Sequence, residues 1–301
     1  MAMKKIGWIG TGVMGAHMCA RLLAAGYELH VHERDRSRAE PLLTQGAHWQ
    51  DSPAAAARAS ELTFAIVGFP ADVEETFLSD RGVLAGARAG SIIVDMTSST
   101  PALAERIHCA AAELKVRALD APVSGGPAGA RDGKLAIMVG GDQETYKEVL
   151  PLFEKLGTTI ALMGPPGAGQ HTKMCNQTLI ALNLIGVVEA LLYARKAGLD
   201  PSRVIELVGK GAAASWQLVN MGPRMVAGDF APGFYIKHFL KDMGIALSEA
   251  RRMGLSLPGL TLVNQFYMAA RAKGLEDLGT QGLYKVLESF NGLPEVSQDR
   301  S

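Results

Sequence analysis

Two short stretches of this chain carry side chains and backbone able to do chemistry together. One is Lys173, at the start of the longest apolar helical pattern, with Asn176 three residues on. Burial disfavours the charged form of a lysine, so an amine facing an apolar stretch is drawn toward neutrality and can serve as a general acid/base. Lys173 and Asn176 share one helix face and can meet one substrate oxygen. The other stretch is Gly10-Thr11-Gly12-Val13-Met14-Gly15. It follows a β-type run and opens a helical one, which places exposed amides where a pyrophosphate would bind. Gly10 suits the tight turn, Gly12 the approach of the pyrophosphate, and Gly15 close helix packing. A hydride carrier beside a proton carrier implies redox chemistry on an alcohol or a carbonyl.

The elements that position these residues fall into two domains, 1–164 and 165–301. In the first, β-rich runs alternate with helical stretches, the pattern of a doubly wound parallel sheet with helices on both faces. The runs predict strands over 4–9, 28–33, 62–67, 91–95, 117–120, 135–140 and 158–163. Gly26 closes the first helix, and Ser52-Pro53 supplies a cap followed by proline at the first helical position. The turn-rich segment Gly164-Pro165-Pro166-Gly167-Ala168-Gly169 then breaks the alternation. Beyond it the pattern predicts only helices, over 170–198, 201–209, 216–226, 239–253, 258–273 and 281–290. The fold class is therefore an α/β Rossmann-type sheet followed by an all-α domain, joined by a long helix expected to be buried on all sides.

Around the dinucleotide loop, Glu33 ends the second strand where an acidic residue binds adenosine ribose hydroxyls, and its charge would repel a 2′-phosphate. That favours NAD over NADP. Arg34 and Arg36 leave the alternative open, since they read equally as ligands of such a phosphate or as a solvated charge cluster. Gly68-Phe69-Pro70 and Thr97-Ser98 follow later strands on the carboxyl edge, and are expected to wall the nicotinamide and its ribose. The loop from Asp120 to Pro127 joins Ser124 to Gly125 and Gly126, a hydroxyl with two adjacent amides that can cradle a carboxylate or form a plain turn.

Composition excludes several classes. The chain has 301 residues, 48% of them hydrophobic, and Lys+Arg and Asp+Glu number 30 each, so no bulk field recruits nucleic acid or an anionic membrane. Cys19, Cys109 and Cys175 are odd in number and lack CxxC spacing, which argues against a disulfide framework or a zinc site and fits a reducing cytoplasm. No His/Asp/Glu cluster has metal-ligand spacing, so catalysis without metal is expected. Asn183 and Glu189 interrupt the apolar segment 178–194, which falls short of a membrane span. His171 points to a different helix face from Lys173 and reads as structural or surface, Cys175 as a small buried residue, and Met14, Met138 and Met174 as core filler.

Taken together, the loop Gly10 to Gly15 preceded by Ile6-Gly7-Trp8-Ile9, the segment Asp120-Ala121-Pro122-Val123-Ser124-Gly125-Gly126, the lysine helix and Lys241-Asp242-Met243-Gly244-Ile245-Ala246-Leu247 stand in a telling order. The chain resembles the β-hydroxyacid dehydrogenase family, which includes 3-hydroxyisobutyrate dehydrogenase and tartronate semialdehyde reductase. The resemblance covers nearly the whole chain and implies a 6-phosphogluconate dehydrogenase-like architecture. It further implies that Lys173 is the catalytic acid/base, Asn176 orients the substrate, Ser124, Gly125 and Gly126 hold its carboxylate, and Lys241 lies beside the nicotinamide with Asp242 steadying it. On sequence alone a Lys-Asp dipeptide in a helix reads as an exposed pair. Phe69-Pro70 departs from the family's leucine and proline, and Glu33 from its aspartate or asparagine. Neither change touches the chemistry. Lys210, Ser215, Trp216 and Phe234 are candidates for setting side-chain selectivity.

The expected activity is an NAD(P)-dependent interconversion of a short 3-hydroxy acid with its semialdehyde or keto acid, in a cleft between domains that closes on binding. Candidate substrates are 3-hydroxyisobutyrate, glycerate with its semialdehyde, and 4-hydroxybutyrate. A homodimer or homotetramer is expected. The rival readings are an imine reductase, which has a related fold but generally lacks this lysine, and a nonenzymatic dinucleotide-binding module.

Overall fold

The computed structural model describes residues 3–294. The chain packs as two units, one ending at Lys173 and the other beginning at Met174. The expected division lay at the glycine- and proline-rich turn, between 164 and 165. By packing, the turn and the first residues of the long helix belong with the first unit.

Among the described residues the first unit holds nine strands: β1 Lys5–Ile9, β2 Glu28–His32, β3 His48–Trp49, β4 Leu62–Ala65, β5 Ile92–Asp95, β6 Arg117–Asp120, β7 Val123–Ser124, β8 Leu135–Gly140 and β9 Gly157–Gly164. Its helices are α1 Gly15–Ala24, α2 Glu40–Leu43, α3 Pro53–Arg58, α4 Pro70–Leu78, α5 Val83–Gly86, α6 Pro101–Glu113, α7 Gly126–Asp132 and α8 Gln143–Leu156. The sheet runs β3-β2-β1-β4-β5-β6-β8-β7, with β9 also paired to β8. Strand order reverses between β1 and β4, and the loops at the carboxyl ends of such a switch point are where ligands bind.

Alternation along the strands divides the apolar residues between two cores, one on each face. Ile6 and Trp8 of β1, Leu62 and Phe64 of β4, and Ile92 and Val94 of β5 join Met18, Leu22 and Phe153 in one. Ile9, Ala65 and Ile93 turn the other way, toward Val73, Phe77 and Ile107. Trp8, Phe64 and Phe153 stack in sequence at centroid separations of 5.4 and 6.1 Å. Ser52 caps α3 as expected, accepting from the Ala55 N–H.

The sheet is not purely parallel. β8 runs antiparallel to both β6 and β7, while β9 is parallel to β8. The connection leading into β8 contains only the short α7, too little chain for a crossover of the parallel kind. β3 and β7 have two residues each, below the length at which alternation is legible.

The second unit is helical: the greater part of α9 Ala168–Lys196, then α10 Pro201–Val208, α11 Trp216–Val226, α12 Ile236–Arg252, α13 Pro258–Ala272 and α14 Leu283–Phe290. One core gathers Leu184, Val188, Phe239, Met243, Tyr267 and Tyr284. Contrary to expectation, α9 is buried along one face only. Ala181, Leu184, Val188 and Leu191 are inside, whereas Leu179 and Tyr193 are 63% and 75% exposed. Its near-continuous apolar composition hid this two-sidedness. The helix is long and apolar enough to cross a membrane by length and composition, yet its inward face is the spine of this core.

Candidate active site

The glycine loop after β1 is shaped by two close approaches. Gly10 has φ +92°, and a Cβ there would lie 2.1 Å from the Ile66 carbonyl oxygen; one on Gly15 would lie 2.0 Å from the Gly10 oxygen. At Gly12 a Cβ would meet nothing within 4 Å. The N–H groups of Gly12, Val13 and Met14 donate to no carbonyl among the described residues. The loop thus offers amides and open space at the start of α1, the requirements of a pyrophosphate.

Glu33, just past β2, is anchored to the same loop. One carboxylate oxygen accepts from the Thr11 N–H at 2.7 Å and the Thr11 hydroxyl at 3.3 Å, and the other accepts from the Arg34 N–H at 2.8 Å. The arginine side chains are committed to carboxylates. Arg34 pairs with Asp72 and with Glu75, while Arg36 pairs with Glu40 and lies over the Trp49 ring. These are exposed pairs, worth about 0–1 kcal/mol each.

On the loop after β4, the Phe69 N–H donates to Asp72 and Pro70 opens α4, leaving the Phe69 ring 41% exposed. Thr97 is buried. Its hydroxyl accepts from the Val67 N–H at 2.9 Å, and its own N–H donates to Asp95 at 2.9 Å. It therefore braces one carboxyl-edge loop against another.

Lys173 is positioned from the end of β6. The two carboxylate oxygens of Asp120 accept from the Gly167 and Gln170 N–H groups, both at 2.8 Å, and so cap the start of α9. Burial pushes the Asp120 carboxyl above its ordinary range, opposed by those same amides. Gln170, completely buried, donates to the Thr97 carbonyl at 2.7 Å and accepts from the Ser99 N–H at 2.9 Å. One turn further, Lys173 is 6% exposed and its Nζ donates to the Val123 carbonyl at 2.8 Å. The amine is thereby held one peptide from Ser124, where the backbone enters Gly125 at φ +136° and Gly126 at φ +62°. The structure brings Lys173 and the Ser124 to Gly126 loop together. Asp120 and Gln170, which do the holding, went unrecognised in the sequence because their partners lie 47 to 73 residues away.

In the second unit, Asn176, Lys241 and Asp242 form one network through Gln177. The Asn176 Nδ2 donates to Gln177 Oε1 at 2.7 Å, and Gln177 Nε2 donates to Asp242 Oδ2 at 2.6 Å. Asp242 Oδ1 lies 3.2 Å from Lys241 Nζ, with the two side chains only 2% and 11% exposed. The exposed ion pair that sequence alone suggests is in fact buried. His238, one turn before Asp242, is lowered below the usual histidine range by burial and by Lys241 and Lys237.

The remaining candidates have local roles in this unit. Ser215 caps α11 by accepting from the Leu218 N–H, Lys210 pairs with Glu206, Phe234 packs edge-on against Phe239, and Trp216 is 63% exposed. Cys175, expected inside, is exposed because it falls on the outer face of α9. Among the described residues, no group of three His, Cys, Asp or Glu side chains could hold a metal ion.

Comparison with known proteins agrees with this architecture. Residues 5–164 match the NAD-binding domain of 6-phosphogluconate dehydrogenase, and residues 167–287 match the NAD-binding family of NADP-dependent 3-hydroxyisobutyrate dehydrogenase. A probable mitochondrial 3-hydroxyisobutyrate dehydrogenase-like protein of Arabidopsis thaliana is 48% identical, over 98% of this chain and 88% of its own. The 2-hydroxy-3-oxopropionate reductase of Escherichia coli is 40% identical, over 94% and 97%. The solved structure of 3-hydroxyisobutyrate dehydrogenase from Mycobacterium tuberculosis with L-serine superposes with a TM-score of 0.86 at 28% identity, covering 95% of this chain and 99% of that one. With a dinucleotide loop, a buried lysine and relatives matched from end to end, the chain belongs to the β-hydroxyacid dehydrogenase family of NAD(P)-dependent oxidoreductases.

Proposed function

We propose that this enzyme interconverts a short 3-hydroxy acid and its semialdehyde or keto acid, with Lys173 as general acid/base and no metal. The observation that carries the reading is the Lys173 amine, buried and hydrogen-bonded at 2.8 Å to Val123, the residue before Ser124. The nicotinamide, when bound, supplies or accepts the hydride. The chain's own residues do the rest. The Ser124 hydroxyl and the Gly125 and Gly126 amides hold the substrate carboxylate, which fixes the carbinol carbon relative to the lysine. Neutral Lys173 takes the hydroxyl proton in oxidation, and its ammonium returns a proton to the carbonyl oxygen in reduction. Asn176, on the same helix face, orients that oxygen, and Lys241 serves the substrate from α12.

Burial supports the acid/base role, since an amine shielded from water loses part of the stabilisation of its charge. Names of relatives narrow the substrate class: a 2-hydroxy-3-oxopropionate reductase, a 3-hydroxyisobutyrate dehydrogenase with L-serine, and an L-serine dehydrogenase all act in the range of small hydroxy acids. Gly10 to Gly15 would hold the pyrophosphate, Glu33 the adenosine ribose, and Phe69, Pro70 and Thr97 would line the path of the cofactor. NAD is preferred, because Glu33 is pinned at the loop while Arg34 and Arg36 are turned to carboxylates. Three cysteines without disulfides fit a cytoplasmic enzyme, and the exposed Leu179, Leu182 and Tyr193 on α9 fit a homodimer or homotetramer.

The test is a spectrophotometric screen of short hydroxy acids and semialdehydes with NAD(H) and NADP(H), with Lys173→Ala alongside. That variant is expected to bind cofactor as the parent does and to lose turnover by ~100-fold or more. Unchanged turnover would remove the mechanism.

A further inference from the structure

The loops that lead out of β2 and β4 are tied to each other by one carboxylate. Asp72, in the first turn of α4, divides its oxygens between two partners. Oδ2 accepts from the Phe69 N–H at 2.8 Å and so caps α4, while Oδ1 takes the Arg34 guanidinium from the loop after β2. A Cβ on Gly68 would lie 2.9 Å from Oδ2, so the carboxylate is packed onto the backbone of its own loop. It cannot turn away from Arg34 without giving up the cap. Glu75, further along α4, adds a second hold on Arg34 at 3.5 Å. The two acids differ in how firmly they are fixed, since the Asp72 side chain is 22% exposed and that of Glu75 71%. Asp72 is the anchor of the pair.

Arg34 stands beside Glu33, to which its own N–H donates at 2.8 Å. In a dinucleotide fold an acidic residue at this place meets the ribose hydroxyls, and a nearby arginine accommodates a 2′-phosphate. This chain has both. The charge of Glu33 opposes the phosphate, so the choice of cofactor turns on whether the Arg34 guanidinium is available. Two carboxylates of α4 neutralise it and hold it. Arg36 is retained separately, by Glu40 and the Trp49 ring.

We propose that Asp72 is a specificity-determining residue: it latches Arg34 to α4 and so withholds the guanidinium from an adenosine 2′-phosphate, setting the choice of NAD over NADP from an element that carries none of the dinucleotide loop. With the latch released, Arg34 becomes a phosphate ligand. This deepens the cofactor preference proposed above and rests on it.

Asp72→Asn separates latch from cap. Its amide oxygen accepts from the Phe69 N–H as the carboxylate did, which leaves its NH2 turned to a guanidinium that also only donates. Arg34 is set free with α4 still capped. Glu75→Gln removes the weaker hold, and Arg34→Ala removes the phosphate ligand itself. The readout is the ratio of the Kd values for NADH and NADPH, from fluorescence titration of the protein without substrate. Wild type is expected to favour NADH. Asp72→Asn should move the ratio toward NADPH by about 5-fold or more, the upper end for an exposed charge pair, and Glu75→Gln by less.

Taking away a carboxylate also weakens the repulsion of any phosphate nearby. The Arg34→Ala background isolates that effect, because there the latch has nothing to hold. In that background the shift caused by Asp72→Asn should fall below about 2-fold, the scatter expected of uncoupled sites. A ratio unchanged by Asp72→Asn, or a shift of equal size with and without Arg34, would overturn the proposal. If wild type binds NADPH as tightly as NADH while the Asp72→Asn shift still requires Arg34, the proposed preference fails and the latch stands.

Discussion

Asp120→Asn probes how the helix that carries Lys173 is docked. The wild-type carboxylate serves two buried N–H groups at 2.8 Å, those of Gly167 and Gln170, at the positive end of α9. An asparagine of the same size keeps one acceptor, and its NH2 must face the other N–H. Leaving one buried N–H unsatisfied costs about 1–3 kcal/mol. Losing the negative charge at a helix N-terminus adds about 0.3–2 kcal/mol. Part is returned, because burial already penalises the Asp120 carboxylate and a neutral amide is cheaper to bury. The net expectation is a loss of about 1–3 kcal/mol, read as a lower urea midpoint for the unit that contains the sheet. Activity should fall as well. Lys173, the proposed acid/base, lies one turn beyond Gln170, and a displacement of about 1 Å at a reacting group costs on the order of 100-fold, so kcat is expected to drop about 10- to 100-fold with cofactor affinity nearly retained. An Asp120→Asn enzyme with wild-type midpoint and wild-type kcat would refute the claim that this carboxylate docks the helix.

Other substitutions test neighbouring steps. Gly12→Ala should leave thermal stability unchanged, since its Cβ meets nothing within 4 Å, yet weaken NADH binding by about 10-fold or more as measured by fluorescence titration. Gly15→Ala should do the reverse to the fold, because its Cβ would lie 2.0 Å from a backbone oxygen, and calorimetry should record a loss of about 1–3 kcal/mol. Stability should also depend on pH in a defined window. His30 is lowered by burial against the pull of Glu28, and His238 by burial with Lys241 and Lys237. The unfolded chain therefore takes up these protons first, and stability present above the ordinary histidine value of 6.5 is lost as pH falls from there through the folded values. The double variant His30→Gln/His238→Gln should flatten that slope in urea titrations, and an unchanged slope would assign it to other groups.

Much of the first unit was legible because its signals are local. The glycine loop, the Ser52-Pro53 cap and the strand residues whose alternation divides Ile6 and Trp8 from Ile9 each depend on neighbours within a few positions. Lys173 stood out for the same reason, as an ammonium on an apolar helix face. Residues joined only by the fold were beyond reach. Nothing near Asp120 in the chain says that it caps a helix through the Gly167 N–H, 47 residues later, and nothing near Lys241 says that Asp242 is buried and bonded to Gln177, 65 residues before it. The same holds for β8, whose antiparallel course follows from the little chain that leads into it, and for α9, whose uniform apolar composition concealed one exposed face. Local patterns record what a residue prefers within a turn or a strand. Which carboxylate meets which amide, and which apolar face is covered, depends on contacts that exist only once distant segments have been packed together.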